Sequence, residues 1–347
     1  MEAGQKLGTS PEARRTLVRA FLLPSWILLA ATTVVFAFGM EAGVWVQYAP
    51  FALSLVLFGL PHGAADHLVP GRLYAGRASL ASIAGVFILY LALAAPYLLL
   101  WFVSPGAAFA FFIVLTWFHW GQGDLYFLAV LDPGADRAPI PLKALTGIVR
   151  GGLPMLMPLL AFPDVYRGVA SSLVGLFRGE VSGFAWAFGP VFRGIWGGLF
   201  FLVVLVALYW RYRLSDGLRP AAWRLEALEV ALLAVYFVTV PPVLALGLYF
   251  CLWHSVRHIA RLMLLNQSSA ESLNKGRVGA ALADFARDAA PLTGAALALL
   301  AGLYFLVPGA TDGVSGLLAV YLVLISALTL PHVAVVCLMD LRQGVWR

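Results

Sequence analysis

Charge is what this chain has least of. Of its 347 residues only 12% are Asp, Glu, Lys or Arg, against roughly 25% in a soluble globular domain, and that shortfall excludes the soluble class. Cysteine is nearly absent: Cys251 and Cys337 lie in separate apolar segments, which excludes a disulfide framework or a thiolate metal site and leaves both as packing residues. No basic run occurs. The net charge of +6 is spread singly over many connections, so no nucleic-acid partner is implied and membrane topology explains it better. The first apolar run, 21–38, is followed by Gly-Met-Glu rather than a small-residue cleavage site, and reads as a first span instead of a removable signal. No repeat of 20–50 residues is evident beyond Leu-Pro-His at positions 60–62 and again at 330–332.

What is present is apolar surface. Hydrophobic residues make up 62% of the chain, in runs long enough to cross about 30 Å of hydrocarbon. The pattern predicts an all-α, polytopic membrane protein in a single transmembrane domain over 1–347. Ten spans are expected, near 21–39, 44–67, 80–103, 106–130, 143–163, 190–211, 224–241, 243–266, 287–307 and 314–340. Pro241-Pro242 should form the tight link between the seventh and eighth, because proline lacks an N–H donor and clashes with the preceding turn. The stretch 164–189, with Arg167, Arg178 and Glu180 among apolar residues, suits an interfacial helix. On this map every Lys and Arg except Arg150, Arg167, Arg178 and Arg193 falls on one side of the membrane. The positive-inside rule then makes both termini cytoplasmic, with 1–20 a cytoplasmic segment.

All six histidines, His62, His67, His119, His254, His258 and His332, sit on the inward-running second, fourth, eighth and tenth spans, beyond the middle of each. Ionisable groups at membrane depth are costly and face a protein interior or a cavity, so their shared depth points to one site. His254 and His258, four residues apart, project from one helical face within reach of a single ion. His119 and His62 can close the shell from neighbouring helices, and four imidazoles suit iron, zinc or copper better than magnesium or calcium. Pro61 before His62 and Pro331 before His332 predict a kinked or unwound helix at each site. Asp66, four residues after His62, is placed to accept that imidazole's second N–H. Asp66, His67, His332 and Asp124 are therefore expected as supporting residues around the ligands, or as markers of the inner membrane boundary, which for Asp124 is the preferred reading. Trp117, Phe118, Trp120, Tyr249, Phe250 and Trp253 flank the histidines and could wall a dry cavity for a long apolar substrate. A histidine-lined transporter of protons or metal ions, or a haem-binding electron carrier, would also put histidines at this depth. A diiron desaturase or hydroxylase would carry adjacent His-His pairs, which this chain lacks.

Four blocks, Pro61-His62-Gly63-Ala64-Ala65-Asp66-His67, Trp117-Phe118-His119-Trp120-Gly121, Trp253-His254-Ser255-Val256-Arg257-His258 and Leu330-Pro331-His332, resemble the signatures of the Brp/Blh family of integral-membrane β-carotene 15,15′-dioxygenases. The resemblance runs from the second span to the last, with no recognisable motif in 131–240. It implies cleavage of the central double bond of β-carotene by O₂ at a non-haem Fe(II) held by His62, His119, His254 and His258. Two molecules of all-trans-retinal would result, with a microbial rhodopsin as a functional partner and a prokaryotic plasma membrane as the location.

Overall fold

The computed structural model describes residues 9–132, 138–215, 220–306 and 313–346, the side chains of 220–222 excepted. Lys6, Arg137, Arg219 and Arg347 of the charge map lie outside the described residues. Every regular element among those described is helical. In chain order these are α1 (Pro11–Ala37), α2 (Val44–Ala75), α3 (Leu80–Val103), α4 (Pro105–Leu131), α5 (Ile140–Ala161), α6 (Pro163–Gly175), α7 (Pro190–Leu214), α8 (Pro220–Thr239), α9 (Pro242–Leu265), α10 (Gln267–Asn274), α11 (Val278–Leu306) and α12 (Gly313–Gln343). Eight of them, α1, α2, α3, α5, α7, α9, α11 and α12, are long and apolar enough to cross a membrane. The other two long helices owe their lower apolarity to the residues that matter most below: His119, Gln122 and Asp124 on α4, and Arg224, Glu226 and Glu229 on α8.

Prolines set many boundaries, as their missing N–H and fixed φ dictate. Pro11, Pro105, Pro163, Pro190 and Pro242 each open a helix, and Pro241-Pro242 does separate α8 from α9. α2 is interrupted: Val44–Val56 gives way at Leu57 and Phe58 to a short turn, Gly59–Ala64, then to a 3₁₀ turn, Asp66–Leu68, and a last helix, Val69–Ala75. Pro61 cannot answer the Leu57 carbonyl, and the break falls there, one turn before His62. At Pro331, in contrast, the helix does not unwind. α12 runs on from Gly313 to Gln343 with the proline inside it, because the buried packing of residues on both sides, Ala327, Val333 and Val336 among them, holds the helix together over one missing bond. The stretch 164–189 is not a single helix either: α6 ends near a left-handed Arg178 (φ 57°) and is followed by a 3₁₀ segment, Val181–Phe188.

α9 is the central rod. Of its most apolar window 78% is buried inside the protein, against 11% for α7 or α11. α5 packs closely on α4, and also on α7 and α8; α9 lies against the first part of α2, α11 against the Gly59–Ala64 turn, and α12 against α3 and α6. The α4–α5 crossing depends on missing side chains, since a Cβ on Gly121 would collide with the Gly147 carbonyl and one on Gly151 with that of Trp117. Small residues at such crossings let backbones approach in the absence of a hydrophobic drive between helices. Gly121→Ala should therefore lower the thermal midpoint in detergent. Gly85→Ala, with open space around it, should leave the midpoint unchanged or raise it, Ala being favoured over Gly in a helix by about 0.5–1 kcal/mol.

Candidate metal centre and cavity

Five histidines from four helices meet in the bundle, each buried: His62 on the Gly59–Ala64 turn of α2, His119 on α4, His254 and His258 on α9, and His332 on α12. The ring centroid of His62 lies 5.4 Å from His254, 5.5 Å from His258 and 5.0 Å from His332. His119 lies 4.7 Å from His254 and 4.8 Å from His332, and His258 lies 4.9 Å from His332. Two groups of donor atoms are compact enough for an ion, each with its atoms within 4.8 Å of one another: His62, His119 and His254, and Asp66, His258 and His332. His254 and His258 thus fall in different groups. Phe250–Ser255 is a π-helical turn, so the simple α-helical spacing does not apply across it, and such turns recur at functional sites. No pattern in the sequence announces this one.

The hydrogen bonds show which imidazole nitrogens are free. The Nε2 atoms of His119, His254, His258 and His332 are buried without a partner. Four orphaned acceptors or donors in one cluster would be expensive in an apolar interior, and their chemistry fits a nitrogen donor set for a cation. His62 Nδ1 is held by the Gly59 carbonyl, and a glycine is needed there because a Cβ would stand 2.6 Å from the Phe250 ring. Asp66 pairs with His332 (Nδ1 to Oδ2, 2.7 Å), not with His62, and the same oxygen accepts from the Tyr90 hydroxyl at 2.6 Å. The short helix that carries His62 ends at Ala64 and a 3₁₀ turn begins at Asp66, so a four-residue spacing no longer brings the two side chains together. His332 is therefore a member of the ring cluster, with its Nδ1–H donated to a carboxylate and Nε2 turned to its neighbours. His67, half-buried, bonds the Ala64 carbonyl at 2.9 Å and makes no ring contact with the others.

Behind the histidines lies a buried charge network. Asp124, 2% exposed, accepts from Arg257 at 2.9 Å and from Trp253 Nε1 at 3.1 Å, and Arg150 approaches it at 3.5 Å. Glu229 accepts from Arg150 and Arg257 at 2.6 Å each and from Trp26 at 2.8 Å. Arg257, between the two α9 histidines, also lies 3.9 Å over the Trp253 ring. Asp124 is thus interior, because two arginines neutralise it. The solitary Arg150 in the fifth span and Glu229 in the seventh were the available signals, since charges at this depth are found paired.

The expected aromatic wall divides. Trp120 and Phe250 line a cavity of about 420 Å³ together with His62, His67, His119, His254 and His332. Their rings stack 6.2 Å apart, and Phe250 stacks on His254 at 6.1 Å. Trp117 is turned to the Ile148 carbonyl, Phe118 is exposed on the outside of the bundle, and Tyr249 and Trp253 are buried behind the histidines, stacked on one another at 6.1 Å. Neither cysteine joins the cluster: Cys251 donates to the Pro50 carbonyl, and Cys337 accepts from Gln122.

A helical membrane bundle with a largely apolar cavity and a polyhistidine cluster defines a class of integral-membrane metalloprotein candidates. Residues 53–340 match the family model described as Beta-carotene 15,15'-dioxygenase. The chain is 44% identical over 339 residues, 96% of each chain, to the Halobacterium salinarum protein called probable beta-carotene 15,15'-dioxygenase Blh. It is 29% identical to the Brp protein of the same organism, over 94% of this chain and 98% of that one. To the beta-carotene 15,15'-dioxygenase of uncultured marine bacterium 66A03 it is 24% identical, over 82% of this chain and 91% of that one. No solved structure matches. The chain belongs to the β-carotene 15,15′-dioxygenase family and is an enzyme of that family.

Removing Arg257 would leave Asp124 and Glu229 without their strongest common partner in an apolar interior. Arg257→Ala should cost on the order of 3–5 kcal/mol, the scale of a broken buried ion pair, read as a large drop in thermal midpoint and in yield of folded protein. The double replacement Arg257→Met with Glu229→Gln should recover part of that loss.

Proposed function

We propose that this protein cleaves the central double bond of β-carotene with O₂ at a non-haem Fe(II), giving two molecules of all-trans-retinal. The observation that carries the reading is the cluster of partnerless Nε2 atoms beside an apolar cavity, in a chain whose relatives are named for this reaction. One alkene and one O₂ become two carbonyl groups, so atoms and electrons balance without another reductant. His62, His119, His254 and His258 would hold the metal, with His332 a further candidate because its Nδ1–H is committed to Asp66. Bound iron supplies the redox chemistry that lets O₂ react with a polyene; the residues of the chain supply everything else.

Asp66 fixes the His332 tautomer and Tyr90 steadies Asp66, a carboxylate–imidazole arrangement that raises the basicity of a ligating ring. Trp120 and Phe250 offer flat faces to a conjugated chain next to His254, and the apolar lining keeps water from reactive species. The ring contacts disfavour haem, since imidazoles whose centroids lie 4.7–5.5 Å apart leave no room for a porphyrin among them. The topology we propose has ten crossings, both termini cytoplasmic, a Pro163–Phe188 stretch near the opposite surface, and the plasma membrane of a prokaryote around it. The retinal formed would serve a microbial rhodopsin.

Expression in cells that accumulate β-carotene tests the reading: orange colour should fade and retinal should appear, while unchanged pigment with folded, iron-supplied protein would refute it. His→Ala at 62, 119, 254 or 258 should abolish retinal formation and lower the iron content of the purified protein, and the iron content of His332→Ala decides whether that ring is a ligand. Asp66→Asn should reduce metal retention or rate by roughly 10–100-fold, with normal iron content and turnover excluding the supporting role.

A further inference from the structure

Among the described residues, the exposed part of the cavity's lining is confined to one side. Of all the residues that line it, the exposed ones are Phe87 and Leu91 on α3 and Ala295 and Leu299 on α11. All four belong to apolar helices of membrane-crossing length, so this mouth faces lipid. Beyond the histidines the cavity continues along α4, where Thr116, Phe112 and Phe109 line it in turn. Met155, Tyr166 and Leu173 line it there as well; Phe109, Met155 and Leu173 are buried and Tyr166 is half-buried.

This end is built in part from the 131–240 region, in which no motif is recognisable. α6 supplies Tyr166 and Leu173, and the 3₁₀ segment behind it braces the end: Phe184 stacks on Phe109 at 5.9 Å and Phe188 packs on Tyr166 at 6.4 Å. Arg167 lies 5.3 Å over the Phe188 ring. Rings wedged on rings make a firm wall. Its distance from the metal-binding residues can be read along α4, an uninterrupted helix. Phe109 and His119 are ten residues apart, about 15 Å at 1.5 Å per residue. A carotenoid with a ring at each end is about as long as the roughly 30 Å hydrocarbon core, so half of it matches this depth.

Resting on the reaction assigned above, we propose that the Pro163–Phe188 stretch is an end-stop: one ring of the carotenoid seats against Tyr166, Phe109 and Leu173, and the depth of this blind arm sets which double bond lies at the histidines. The substrate enters between α3 and α11, ring first. Central cleavage is then a length measurement made from the closed end, and the portion of the substrate left toward the mouth does not enter into it.

Product masses test this in two ways. Wild-type enzyme given a series of one-ringed, progressively shortened apocarotenoids should release retinal from each member it cleaves, the ring-to-cut distance staying constant while the other fragment shortens. Phe109→Ala and Tyr166→Ala, which deepen the arm, should turn β-carotene into unequal pairs of apocarotenals, at least tenfold more abundant relative to retinal than in the wild type. A wild-type cut whose distance from the ring changes with substrate length would overturn the proposal. So would equal halves from every deepened variant that still cleaves. If those variants do not fold, the wild-type series alone decides. Failure of the assigned reaction looks different, since wild-type enzyme would then release no retinal from β-carotene.

Discussion

The convergence of five buried imidazoles from four helices is the constraint around which the molecule is arranged. Crowding polar rings together in an apolar interior costs free energy that packing elsewhere must offset, and the costs fall on identifiable places. Gly59 gives up its side chain so that the His62 turn can approach Phe250 and Tyr321. α2 gives up helical continuity at Leu57–Phe58 to carry His62 inward. α9 accepts a π turn. A site assembled from four separate helices also needs those helices fixed against one another, and dispersion alone allows sliding.

The buried ion network supplies that fixation. Asp124 is on the His119 helix, Arg257 on the His254 and His258 helix, Arg150 on α5 and Glu229 on α8. Together they join the His119 helix and the helix of His254 and His258 to the outer part of the bundle through directional bonds. Two acids and two arginines leave no net charge, which is what permits them at this depth. Arg261, bonded to Asp340 at 2.7 Å and to Gln343, ties the end of α9 to that of α12 in the same way. The histidines are thereby held from behind, and the cavity side is left largely apolar.

Much of this was legible in the residues. Apolar runs gave the helices, prolines gave their starts, and the shared depth of the histidines gave the cluster, because each signal is local or follows from membrane thickness. What was not legible depends on relations between segments. Asp66 is four residues from His62, yet its partner is His332, on a helix 266 positions away. Trp117, Phe118 and Trp120 are near neighbours in the chain, but helical geometry sends one to a backbone carbonyl, one to the outside and one to the cavity. The helix does not unwind at Pro331 for a related reason: a single missing hydrogen bond is a local cost, and the packing around α12 outweighs it.

The π turn in α9 has an implication for how the chain tolerates change. It holds one residue more than an α-helical turn would, and everything that follows it, Arg257, His258 and Arg261, is oriented by that extra residue. Excising one amino acid between Phe250 and Ser255 would rewind the rod and swing the downstream face by about 100°, detaching the guanidinium groups from their carboxylates and carrying one imidazole away from the others. A loss that a surface loop would absorb unnoticed would there dismantle the centre and its scaffold in a single event.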